Sequence, residues 1–127
     1  MRPVAIKHSV PTVGYAVRQG DHSFFFSSDT GGGCHDAWLQ VRPDVLITET
    51  TLPDRLQAAA DQFDHLTPAK LAHELRDFRA LHGYLPRVIV VHVDPKHEPE
   101  VRAEIAAVAR TLEATIEVGY EGMEVTL

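Results

Sequence analysis

Four polar residues stand where apolar runs stop: His8 in VAIKHSV, Asp29 in FFFSSDTGGG, Glu49 in VLITET and His92 in RVIVVHVDP. A fifth, His65 in FDHLTP, stands just ahead of a helix-like segment. Imidazoles and carboxylates at the mouths of buried strands are an ordinary way to build a metal or acid–base site, because there a reactive group meets solvent without disturbing the core. His92 follows the unbroken β-branched run Val88–Val91. It reads either as a metal ligand, the commonest use of neutral imidazole at such a place, or as a core-edge histidine with its hydrogen bonds satisfied. Asp29 precedes Thr30 and three glycines. It reads either as an Asx-turn or as a carboxylate on a metal, with the glycines letting the backbone pass close by. No Gly-Lys-Ser/Thr follows, so the loop is not a phosphate-binding P-loop.

Glu49 ends a buried strand, and a buried carboxylate requires a partner. His65 is the natural candidate. Such a pair would orient the imidazole and raise its basicity, which suits a general acid. The alternative is that His65 only packs against the start of the helix. His8, at the end of a short strand, reads on its own as a surface histidine sooner than as a ligand. Cys34 could be a soft ligand, but no second cysteine supports that, and it reads as a small buried or half-exposed thiol.

The elements that must position these residues follow from pattern and punctuation. RPVAIKHSV reads as a strand, and TVGYAVRQGDHSFFFSSD as a hairpin turning at Gln19-Gly20-Asp21. GGGCHDAWLQV reads as a flexible loop and a short helical turn. DVLITET and RVIVVHV are continuous apolar strands, buried on both faces. The alanines of LPDRLQAAADQF favour helix. Thr67-Pro68 caps a further helix carrying Leu71, Leu75, Phe78 and Leu81, stopped by Gly83. Glu98-Pro99 opens another, with Val101, Ile105, Val108 and Leu112 on one stripe. TIEVGYEGMEVTL reads as two short strands around a glycine turn. Antiparallel strands therefore come first and strand–helix alternation later.

The chain has 127 residues, 44% apolar and 24% charged, enough for one core. Its net charge of −6 argues against a broad electrostatic nucleic-acid surface. No apolar run approaches the length of a membrane span, and a single cysteine fits a reducing cytoplasm.

In order along the chain, these segments resemble the second half of the metallo-β-lactamase fold, in its phosphodiesterase and ribonuclease Z branch. KHSVPTVGYAV resembles that family's third ligand motif, FFFSSDTGGG its Ser-x-Asp-Thr-Gly strand end, LITETT and DHLTPAKLAHEL its Glu and His-x-Thr segments, and VIVVHVDP its last ligand motif. HLTPAKLAHEL followed by VIVVHVDPKHEPEVRAEI is most similar to class II cyclic-nucleotide phosphodiesterases. The resemblance implies an α/β fold: half of a four-layer αββα sandwich, a mixed sheet with helices packed on one face, with residues 1–127 forming one partial domain. It implies that His8 and His92 are terminal metal ligands, that Asp29 bridges two divalent ions (usually zinc), and that His65, oriented by Glu49, protonates the leaving oxygen of a small phosphodiester substrate. The family's His-x-His-x-Asp-His motif is absent, since no two histidines stand two residues apart. The metal site is therefore expected to be incomplete in this chain, with the other half missing or supplied by another polypeptide. A half-domain also carries the alternative of a non-catalytic interaction module, associating through an open apolar face. A ribonuclease Z-like nuclease ranks below small cyclic nucleotides, because no basic cluster is visible along the chain.

Overall fold

Val4 and Ile6 are buried while their neighbours are exposed, and that alternation lays the first strand, β1 (Arg2–Ile6), flat on the core. The computed structural model describes residues 1–8 and 10–126. Strand β2 (Thr12–Gln19) returns antiparallel to β1 and turns through Gly20, at φ 61°, into β3 (His22–Phe26). A short helix α1 (His35–Trp38) leads to β4 (Val45–Glu49). A 3-10 turn and α2 (Gln57–Gln62) come next, then α3 (Pro68–His82), β5 (Arg87–Val91), α4 (Glu98–Leu112) and β6 (Ile116–Val118).

The six strands form one sheet in sequence order, antiparallel from β1 to β3 and parallel from β3 to β6. The right-handed crossovers demanded by parallel neighbours account for the later helices. Phe25, Leu46, Val88 and Val90 point to one face and are buried with Leu71, Leu75 and Phe78 of α3 and Val101 and Ile105 of α4. Burial of each such side chain contributes about 1.5–3 kcal/mol. Trp38 fills the middle, edge-on to Phe25 and Phe78, and its indole N–H donates to the Glu74 carbonyl. Thr67 caps α3 as its sequence predicts, Pro68 takes the first position, and Gly83 ends the helix at φ 78°.

The opposite face of the sheet is thinly covered: Val13, Tyr15 and Phe26 stand 37–42% exposed. Among the described residues no helix is long and apolar enough to cross a membrane.

Two sequence expectations need correction. The chain does not end in a strand pair, because residues 119–126 join no strand and only β6 forms (Leu127 lies outside the described residues). Instead Met123 and Val125 lie half-buried over Ile89 and Val91 on the thinly covered face, where they bury apolar surface that an edge strand would leave in water. Nor is the triple-glycine loop free. It is tied to α3, as described below.

Candidate metal centre

Parallel pairing brings the C-terminal ends of β3, β4 and β5 to the same edge, with Phe26 opposite Ile47 and Glu49 opposite Val91. Asp29, Glu49 and His92 leave the sheet there. Backbone conformation then aims them inward. Ser28, Asp64 and His92 adopt left-handed φ values of 60°, 54° and 60°, so Asp29, His65 and His92 each sit on or beside such a residue. Non-glycine residues in this region carry a conformational cost of about 1–2 kcal/mol, which the surroundings must offset, and such strain concentrates at functional sites.

Glu49 is the hub. Its side chain is 1% exposed. Oε1 accepts from the Thr30 and Leu66 amides and lies 3.2 Å from His65 Nδ1, while Oε2 accepts from the Thr51 hydroxyl. Desolvation pushes the carboxyl up from 4.5 to about 7, even though the bonds from Thr51, Leu66 and Thr30 pull the other way. The His65 ring is held at Nδ1 by Glu49. It stacks on His92 at 5.2 Å between centroids, and His8 lies 5.7 Å from it.

One ligand atom each of Asp29, His65 and His92 lies within 4.8 Å of the others. Ligand atoms sharing one tetrahedral zinc lie about 3.4 Å apart, so a small closure would suit a cation. The set of imidazoles and a carboxylate has the donor chemistry zinc takes. Among the described residues, His8 Nδ1 is buried and finds no hydrogen-bond partner, as a buried atom that awaits a ligand would. On these observations the residues fit a divalent ion. The structure thus brings Asp29 and His92 together with His65, and places the His8 ring next to that of His65 but outside the three-residue cluster. The Glu49–His65 contact expected from sequence is present. His92, half-exposed, also lines a cavity of about 440 Å³ that opens on the thinly covered face.

Three supporting residues escaped sequence reasoning. Glu74, buried in the middle of α3, accepts from the backbone amides of Gly33 and Cys34 and so clamps the glycine loop. A carboxylate in a helix otherwise reads as solvent-facing, and the HEL pattern offers no sign of the loop that reaches it. Gly31 packs so tightly that a Cβ would lie 2.8 Å from Asp64 Cα, which explains the glycine without any appeal to flexibility and brings the Asp29 and His65 loops into contact. Thr51 touches both Glu49 and His92. Burial, with Glu74 nearby, raises the Cys34 thiol to about 12, so it stays protonated and unreactive.

No family model matches this chain, and no curated protein matches it. Solved structures do. The metallo-β-lactamase fold protein YhfI from Bacillus subtilis aligns with 95% of this chain and 46% of its own, at TM-score 0.73 and 13% identity. Human tRNase Z, short form, aligns with 98% of this chain and 41% of its own, at TM-score 0.67 and 19% identity. Zn(2+)-bound PqqB from Methylobacterium extorquens aligns with 93% and 42%, at TM-score 0.60 and 17% identity. The architecture is thus a metallo-β-lactamase-type α/β fold, with a mixed six-stranded sheet and helices on one face. The chain spans less than half the length of these similar structures.

Proposed function

We propose that this chain carries part of the centre of a metal-dependent hydrolase of phosphodiester bonds, of the cyclic-nucleotide phosphodiesterase kind. The observation behind this reading is the convergence of Asp29, His65 and His92, with His65 backed by the buried Glu49. Asp29, His92 and His8 would hold two divalent ions, zinc above all, as in the PqqB structure of the same fold. Bound ions would neutralise phosphate charge and acidify a water. His65 has committed Nδ1 to Glu49, so Nε2 is the atom that would deliver a proton to the leaving oxygen. Glu49 keeps that ring oriented.

The remaining ligands, from a His-x-His-x-Asp-His segment, would come with a second sheet packed on the face that exposes Val13, Tyr15 and Phe26. A ribonuclease Z-like substrate is the second reading, supported by the likeness to human tRNase Z. It uses the same centre and differs in what docks there.

Hydrolysis of bis-p-nitrophenyl phosphate by the zinc-loaded protein, joined to any in-frame upstream half, tests the proposal. His92→Ala should abolish both zinc binding and turnover. His65→Ala should lower turnover by about 10²–10⁴-fold and leave zinc bound. Absence of both zinc and hydrolysis would sink it. Metal-independent self-association through the open face would then favour an interaction module.

A further inference from the structure

Thr51 sits between Glu49 and His92, and its backbone is fixed from both sides. Its N–H donates to the Leu66 carbonyl and its own carbonyl accepts from Asp94 N–H, each at 3.0 Å. Those bonds tie it to the segments that carry His65 and His92. Its hydroxyl is therefore pre-aimed: Oγ1 lies 2.9 Å from Glu49 Oε2 and 2.9 Å from His92 Nδ1.

A hydroxyl has one hydrogen to give. An ionised carboxylate can only accept, so that hydrogen goes to Glu49. The second contact then requires His92 Nδ1 to be the donor. Asp29 Oδ1, 3.8 Å from the same nitrogen, is too far to compete. His65 meets Glu49 through its own Nδ1 at 3.2 Å, so the same rule applies to it directly.

We propose that Thr51 is a positioning residue: it relays the Glu49 carboxylate to His92, fixes that ring as the Nδ1–H tautomer and leaves the lone pair on Nε2 free. One buried carboxylate thereby sets the tautomer of two stacked imidazoles, one by contact and one through a hydroxyl. The consequence for metal affinity rests on the hydrolase reading, whereas the tautomer does not.

The test uses the metal-free full chain with ¹⁵N-labelled histidine, at about pH 8.5, above the value of about 7 to which burial pushes Glu49. Long-range ¹H–¹⁵N correlation should show His92 with a protonated Nδ1 and a bare Nε2. Thr51→Val should move His92 towards the opposite tautomer and leave His65 as it was. Thr51→Ser should restore the native pattern. A native His92 protonated at Nε2, or a Thr51→Val spectrum identical to the native one, would overturn the proposal. Zinc titration gives a second readout. Orienting partners of metal-bound histidines are worth about 10–100-fold in affinity, so Thr51→Val should weaken binding by at least about tenfold and Thr51→Ser should not. A native chain that binds no zinc yet shows the expected tautomer would count against the hydrolase reading and leave the role of Thr51 standing.

Discussion

Replacing Glu49 by glutamine should remove a large part of the pH dependence of this chain's stability. In the folded state Glu49 holds its proton up to about 7, because burial disfavours the anion, while in the unfolded chain it releases it near 4.5. Below 4.5 both states are protonated and the group contributes its full share. Between the two values the native state binds more protons, so stability falls as pH rises. Above about 7 the contribution is gone. At about 1.4 kcal/mol per unit, the gap corresponds to about 3 kcal/mol, nearly all of it lost between about pH 4 and 8. Glutamine keeps the shape and an acceptor oxygen for the Thr30 and Leu66 amides, but cannot ionise. Urea unfolding of the metal-free wild type and Glu49→Gln, at several pH values across that window, should give curves that diverge by about 2–3 kcal/mol as pH rises, with Glu49→Gln the flatter. Histidines away from Glu49 are common to both proteins and cancel in the difference, and a Glu49→Gln/His65→Ala double variant separates the contribution of the one that touches it. Parallel curves would refute the claim that desolvation of Glu49 outweighs the hydrogen bonds it accepts.

Other perturbations probe the frame around the centre. Glu74→Ala leaves the Gly33 and Cys34 amides without their acceptor and should cost about 2 kcal/mol or more, with faster hydrogen exchange at those two amides; Glu74→Gln should cost less. Gly31→Ala forces a Cβ to within 2.8 Å of Asp64 Cα, and should weaken zinc binding by separating the Asp29 and His65 loops, with a stability loss of about 1–3 kcal/mol in urea. Glu113 ends α4 at φ 53°, where α3 uses Gly83, so Glu113→Gly should raise stability by up to about 1 kcal/mol without altering zinc binding.

Most of the frame was legible because its signals are local. The β2–β3 turn lies at Gly20, the Thr67-Pro68 cap begins α3, and the runs VLITE and VIVV became central parallel strands. The Glu49–His65 pair was legible because a carboxylate at the end of a buried strand must find a partner. What stayed hidden depends on contacts distant in sequence. Glu74 meets a loop 40 residues away, and Thr51 meets His92 across 41. Neither threonine nor a mid-helix glutamate carries a local mark of such a role. The left-handed backbone at Ser28, Asp64 and His92 was equally invisible, since none of the three is glycine and the tolerance of Asp and His for this region marks no particular position. The last strand failed for a different reason. Met123 and Val125 have strand-like patterning, but the open face of the sheet offered them more burial than the edge beside β6.

The central claim is that Asp29 and His92 share a cation with their neighbours at the ends of β3 and β5. Anomalous diffraction at the zinc absorption edge, from crystals grown with zinc, tests it most directly. A peak about 2.0–2.2 Å from both the Asp29 carboxylate and the His92 imidazole is the predicted result. A peak only at some other pair, such as His35 and Asp77, or no peak at all, would contradict it.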